Sequence, residues 1–199
     1  MYAAQSNLKR VYLELGGKSA SVVFGDAGNL DEVAQVAASA IFRNSGQVCV
    51  ASSRLLVERS IHSAFVERIV NIASDMKLGD PLELSTNAGA IASNVQMNNI
   101  LRDCDRAEAD GAELKLGGKQ RAIDTGGFYI GPTIFDNASQ ESQLVQNEIF
   151  GPVLAIQAFD TEDEAVRLAN GTNYGLAAGV FTQNISRAPR MIESLRAGV

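Results

Sequence analysis

Tryptophan is missing from the 199 residues, histidine occurs once, cysteine twice and proline four times. The scarcity of cysteine and of histidine each closes a class of function. Two cysteines, Cys49 and Cys104, cannot build a disulfide framework. A single histidine, His62, leaves a three- or four-ligand zinc site of Cys/His type without ligands. A Ser-His-Asp triad would have to use that same imidazole, whose place near a helix start reads as solvated or capping. No apolar run nears the ~18 residues of a membrane span. The opening Met1-Tyr2-Ala3-Ala4-Gln5 lacks the charged-then-apolar pattern of a signal peptide, so the expected setting is the cytoplasm, away from membranes. Basic residues are also few: 17 Lys and Arg stand against 23 Asp and Glu, a net charge of −6, with no cationic block. A nucleic-acid binder must displace phosphate counterions, so no nucleic-acid partner is expected. Catalysis, if present, must rest on cysteine, on carboxylates or on a cofactor, with no metal.

What is there is an ordinary globular composition, 46% apolar and 20% charged, in a chain long enough for one domain or two small ones. Strand-like and helix-like segments alternate. Val11–Leu15 and Ser21–Phe24 are short, β-branched or aromatic, and flanked by glycine, which predicts strands. Leu30, Val33, Ala34, Ala37 and Ile41 share one helical face, ending near Asn44-Ser45-Gly46. Arg54–Glu58 reads as strand, and Phe65, Ile69, Ile72 and Met76 mark a helix stopped by Gly79-Asp80-Pro81. A helix from about Val95 to Ala109 precedes short strands at Leu114–Leu116 and Tyr129–Phe135. Val153–Ile156 reads as a buried strand. Thr161 caps a helix through Asn170, with Glu164 completing a capping box. A strand at Ala177–Phe181 and a helix at Ser186–Leu195 follow, and Ala197-Gly198-Val199 reads as a helix cap leading into another strand. This rhythm predicts an α/β fold: an open, largely parallel sheet flanked by helices.

Three segments could carry chemistry. In Leu13-Glu14-Leu15-Gly16-Gly17-Lys18-Ser19, the Gly-Lys-Ser ending imitates a phosphate-binding loop, but that motif needs glycine where Tyr12 stands. What remains is a carboxylate at the end of a strand, where active sites of open α/β sheets gather, followed by two glycines that permit close approach. The bland alternative is an exposed surface turn. In Gly46-Gln47-Val48-Cys49-Val50-Ala51-Ser52-Ser53, the cysteine follows a glycine loop with no acid nearby. Backbone N–H groups in such a turn activate a thiol and later bind an oxyanion; otherwise it is a small buried hydrophobe. Cys104, between Asp103 and Asp105 on a helix, is the structural contrast, since acids disfavour a thiolate. In Glu148-Ile149-Phe150-Gly151-Pro152, alternation points Glu148 and Phe150 the same way: a carboxylate for ligand hydroxyls and a ring for a flat heterocycle, or else a helix end and a core phenylalanine.

Together, the spacing Glu14…Cys49…Glu148 with these surroundings resembles the aldehyde dehydrogenase superfamily, over essentially the whole chain and including Asn173-Tyr174-Gly175-Leu176-Ala177-Ala178-Gly179-Val180-Phe181. The resemblance implies that residues 1–199 form that family's catalytic domain, truncated at both ends, with the cofactor-binding domain absent. It implies oxidation of an aldehyde to a carboxylic acid with NAD or NADP. Cys49 would form a thiohemiacetal and then a thioester, which Glu14 would hydrolyse through an activated water. The resemblance assigns Glu148 to the nicotinamide ribose hydroxyls, Phe150 to the nicotinamide, the Leu15-Gly16 backbone to its carboxamide side, and Gln96 to the same cofactor. Glu14 favours hydrolysis over acyl transfer to coenzyme A, because acylating relatives typically lack it. Gly46–Cys49, Leu55–Val57 and Gly131–Phe135 look closest to members acting on amino- or acylamino-aldehydes. The full-length parent is expected to be a homodimer or homotetramer, and this chain alone to be inactive. A coenzyme-A-acylating relative and a non-catalytic interaction domain are the alternatives; the second predicts a Cys49 no more reactive than Cys104.

Overall fold

The structure, a computed structural model, describes residues 2–199; Met1, in the N-terminal stretch considered above, lies outside them. The elements in chain order are α1 (Tyr2–Asn7), β1 (Ala20–Val23), α2 (Leu30–Phe42), β2 (Arg54–Glu58), α3 (His62–Ser74), α4 (Asn94–Ala109), β3 (Glu113–Leu116), β4 (Gln120–Arg121), β5 (Tyr129–Ile130), β6 (Thr133–Asp136), α5 (Gln143–Gln146), β7 (Val153–Phe159), α6 (Glu162–Asn170), β8 (Ala178–Phe181) and α7 (Arg187–Ser194).

Six strands form one sheet in the order β3-β6-β7-β2-β1-β8. β6, β7, β2, β1 and β8 run parallel, and β3 joins β6 antiparallel. The sheet is therefore mixed, parallel except at one edge. Residues alternate between its faces. Val23, Leu55, Val57, Leu154 and Ile156 pack against Ala34, Ile41, Phe65 and Ile69 of α2 and α3. On the opposite face Phe135, Val153 and Ala155 meet Ile100, Cys104, Leu144 and Val145 of α4 and α5. Beside them Ala20, Val22, Leu56 and Phe159 meet Ala165, Leu168 and Met191 of α6 and α7. A sheet buried on both faces explains why its strands are short runs of continuous apolar residues.

Local signals in the sequence set the helix starts. Asn29, Ser93 and Thr161 each cap a helix with a side-chain oxygen. Glu164 turns back as expected for a capping box, but accepts from the Asp160 amide, one residue before the cap.

Three expectations are corrected. Val11–Leu15 is not a strand: β1 begins only at Ala20, in register with the first residues of β2 and β8, so no neighbouring ladder continues over those residues. Tyr12 and Leu13 stay largely exposed. The single strand expected over Tyr129–Phe135 is broken at Gly131-Pro132, since proline has no amide for a ladder. Its first part pairs with β4 in a separate two-stranded sheet, and its second joins the main one. At the C-terminus Val199 exchanges backbone bonds with Leu176 and Ala178 without forming a strand.

Candidate active site

β1, β2 and β7 run parallel and side by side, so the segments leading into them meet at one edge of the sheet, its amino-terminal edge. The carboxylate expected at a strand's carboxyl end is thus found at the opposite end. The carboxyl edge between β1 and β8 is closed instead by Asp26, which accepts from Thr182 Oγ1 at 2.8 Å and from Arg187 Nη1 at 2.9 Å.

Gly17 is the joint of the amino-terminal edge. Its amide donates to Glu148 Oε1 at 3.0 Å, and a Cβ at this position would collide with the Cys49 carbonyl oxygen. Gly16 lies under the other carboxylate oxygen, Oε2, and a Cβ there would fill the space between Glu148 and the Tyr174 ring. The two glycines therefore let the cysteine segment and the glutamate segment touch the same stretch of backbone. Cys49 itself is half-buried.

The cysteine segment is held by an unusual turn. Asn44, Ser45 and Gly46 all have positive φ, at 53°, 54° and 69°, and Gly46 abuts the Gly151 carbonyl so closely that a Cβ has no room. Left-handed serine costs energy, so partners must hold it. Ser45 Oγ donates to Gly89 O at 2.9 Å, Asn44 Nδ2 to Gln47 O at 3.0 Å, and Gln47 Oε1 accepts from the Ala92 amide at 2.9 Å. The turn is pinned to residues 89–92 on one side and Gly151 on the other.

The glutamate segment is pinned as well. Gln96, in the first turn of α4, donates from Nε2 to the carbonyls of Ile149 at 2.8 Å and Phe150 at 3.1 Å. The Glu148 amide donates to the Tyr174 hydroxyl at 3.3 Å. Ile149 is buried, Glu148 is half-buried and Phe150 is 41% exposed, but Phe150 has a left-handed backbone, with φ at 55°, so the segment is not the extended one expected.

Glu14, Leu15 and Gly16 stand on exposed backbone, and the Glu14 carboxylate enters none of the contacts that join Gly17, Cys49 and Glu148. Lys18 goes the other way: it is 2% exposed, and its Nζ has no hydrogen-bond partner among the described residues. Burial, and then the nearby Arg54 guanidinium, lower its pKa to about 7 against the opposing pull of Glu148 and Asp103. Arg54 is buried too, donating to the carbonyls of Lys18, Leu168 and Ala169 at 2.9, 2.7 and 2.6 Å. It ties the glycine segment to the last turn of α6, where a cation complements the exposed carbonyls. Nothing in the sequence marked Arg54 or Tyr174 as builders of this edge, since their partners lie far along the chain.

Cys104 is buried in α4, and burial first, then Asp103, Asp105 and Glu108, push its thiol up to about 12. His62, read as solvated or capping, is neither. It is the first residue of α3, its side chain is 12% exposed, and its Nε2 lies 3.0 Å from Asp136 Oδ1. That is an ion-pair distance, although the pair is not aligned as a hydrogen bond and Nε2 lacks a hydrogen-bond partner. Among the described residues no three His, Cys, Asp or Glu side chains are grouped to hold a metal ion, and no helix is long and apolar enough to cross a membrane.

A family model described as the aldehyde dehydrogenase family matches residues 1–199. An indole-3-acetaldehyde dehydrogenase solved with NAD+ is 50% identical, with a TM-score of 0.94 over 99% of this chain and 40% of that one. The aldehyde dehydrogenase KauB from Pseudomonas aeruginosa is 48% identical, with a TM-score of 0.94 over 99% of this chain and 40% of its own. The gamma-glutamyl-gamma-aminobutyraldehyde dehydrogenase from Burkholderia cenocepacia J2315 is 47% identical, with a TM-score of 0.93 over the same shares. The chain thus spans about 40% of the length of these structures.

Proposed function

The chain belongs to the aldehyde dehydrogenase family, and from that premise we propose that it supplies the cysteine-bearing catalytic domain of an NAD(P)-dependent enzyme oxidising aldehydes to carboxylic acids. The observation that supports this reading is the meeting of Gly17 with both the Cys49 carbonyl and the Glu148 carboxylate, which brings the cysteine segment and a carboxylate to one stretch of backbone.

In this reading the Cys49 thiolate adds to the aldehyde carbonyl, forming a C–S bond, and the oxyanion is met by the Cys49 amide. The residues suit a nicotinamide cofactor. The Cβ-free surface of Gly16 offers close approach, Glu148 keeps Oε2 outside its bond to Gly17 for a ribose hydroxyl, and Phe150 presents an exposed ring. The chemistry such a group supplies when bound is acceptance of the hydride that leaves the thiohemiacetal carbon. Gln96 serves the same end through the Ile149 and Phe150 carbonyls it holds. Glu14 takes a proton from the water that attacks the Cys49 thioester, releasing the acid and the thiol. Amino- and acylamino-aldehydes are the proposed substrates, and the 199 residues alone are proposed to turn over aldehyde little or not at all.

The test is alkylation by iodoacetamide at neutral pH, read separately at Cys49 and Cys104 by peptide mass spectrometry. Cys49 is expected to react faster in the folded chain than in urea, and Cys104 far more slowly when folded. A folded Cys49 no faster than the denatured one overturns the proposal and favours an interaction domain.

A further inference from the structure

A recess of about 600 Å³ opens beside the cysteine segment, within the range of roughly 300–1,000 Å³ typical of small-molecule sites. Val36, Ala40, Val48, Val50 and Ala51 make its wall, and Arg43 also lines it. Val48 and Val50 are the neighbours of Cys49 in the chain, so the recess adjoins the cysteine segment, although Cys49 itself does not line it. No acidic residue lines the recess.

Arg59, Arg68, Arg106, Arg167, Arg187 and Arg190 each stand opposite a carboxylate, and Arg54 is taken up by carbonyls. Among the described residues Arg10, Arg43, Arg102, Arg121 and Arg196 form no ion pair, and of these Arg43 is the one that lines this recess. Asp75 lines the adjoining recess that Arg43 also borders, but the two form no ion pair. The Arg43 backbone leads into the pinned turn Asn44-Ser45-Gly46, which fixes where its exposed side chain starts. A guanidinium presents paired donors that match a carboxylate or phosphate. Apolar walls with one sign of charge focus its field on whatever enters.

We propose that Arg43 is a specificity-determining residue that selects aldehydes carrying an anionic group, a carboxylate above all, at the end away from the carbonyl. The proposal rests on the reading of Cys49 as nucleophile, and among the proposed substrates it favours acylamino-aldehydes that end in a carboxylate over amino-aldehydes that end in an ammonium, primary or quaternary.

The test uses the 199-residue chain and two thiol reagents of equal length, N-iodoacetyl-4-aminobutyrate and its uncharged primary amide. Alkylation of Cys49 is followed by peptide mass spectrometry, and the ratio of the anionic to the neutral rate is the readout. Any general activation of the thiol cancels in that ratio. In low salt the ratio in the folded chain is expected to exceed that in urea by about fivefold, the scale of one partly exposed charge contact. It should fall to the denatured ratio in Arg43→Gln, persist in Arg43→Lys, and collapse in about 1 M salt, where the screening length is about 3 Å. Circular dichroism checks that each variant is folded. An unchanged ratio in Arg43→Gln overturns the proposal and leaves the nucleophile reading standing. A neutral reagent that labels Cys49 no faster in the folded chain than in urea overturns both.

Discussion

The amide of Gly17 donates to Glu148 Oε1 at 3.0 Å, joining residues 131 positions apart. The same glycine lies against the Cys49 carbonyl, so one residue sets the distance between the cysteine segment and the Glu148 segment. Gly17→Ala puts a methyl into backbone that cannot step aside. The expected loss is about 1–3 kcal/mol of stability, with slower alkylation of Cys49. Gly16→Ala instead meets the end of the Glu148 side chain, which can swing away. Its effect on stability should be smaller, and the two variants are compared by urea midpoints at a constant m-value.

Glu14 is testable apart from any redox step. An activated ester such as p-nitrophenyl acetate acylates a thiolate directly, and release of the acyl group then depends on water. Glu14→Gln is expected to keep the rapid acylation of Cys49 and slow deacylation by a factor on the order of 10²–10⁴. The measurement is the lifetime of the acyl adduct by intact-mass spectrometry. Equal lifetimes in wild type and variant remove Glu14 from the role of base.

Lys18 makes stability depend on pH in an alkaline direction. Its pKa is about 7 in the fold, lowered by burial and by Arg54, against an ordinary value of about 10.4 when unfolded. Between these values the unfolded chain holds a proton that the folded chain has released, so stability rises with pH across that window. Below it, the fold must bury an unpaired ammonium. Lys18→Met is therefore expected to be more stable than wild type at about pH 6, with the gap narrowing toward about pH 9. Urea midpoints across that range decide it, and a gap independent of pH counts against the buried cation.

Asp136 acts in the opposite direction. Burial opposes its charge, but His62, the Asn137 amide and Lys115 outweigh burial and hold its pKa below the ordinary carboxylate value. A depressed carboxyl stabilises the fold above its unfolded pKa of about 3.9, and that contribution is lost as pH falls through the folded value. Asp136→Asn should lower stability at neutral pH and flatten the acid limb of the curve below about pH 4. An acid limb as steep in the variant as in wild type contradicts the assignment.

Much of the fold was legible locally. The period of Leu30 to Ile41, the Thr161 cap and the apolar runs of β2 and β7 each encode their element within a few residues. Val11–Leu15 misled because its pattern is a good strand while its pairing depends on neighbours, and β2 and β8 begin in register with Ala20 rather than with Val11. Likewise, Lys18 read as the end of a failed phosphate loop and Arg54 as the first residue of a strand. Arg54 does begin β2, but no local signal showed that both side chains are buried, Arg54 against carbonyls of the C-terminal turn of α6 more than a hundred residues away.

The chain's own pattern determined which residues could be chemical: one cysteine in a glycine turn free of acids, another flanked by them, and carboxylates beside glycine. Those are properties of neighbours in sequence, and composition and spacing encode them. Tertiary structure alone decided that the cysteine and glutamate segments meet at Gly17, that they do so at the amino edge of the sheet, and that Glu14 stays exposed. These depend on strand order, which places β1 beside β2 and β2 beside β7. Strand order follows from how both faces of the sheet are buried as a whole, and no local stretch of sequence carries it.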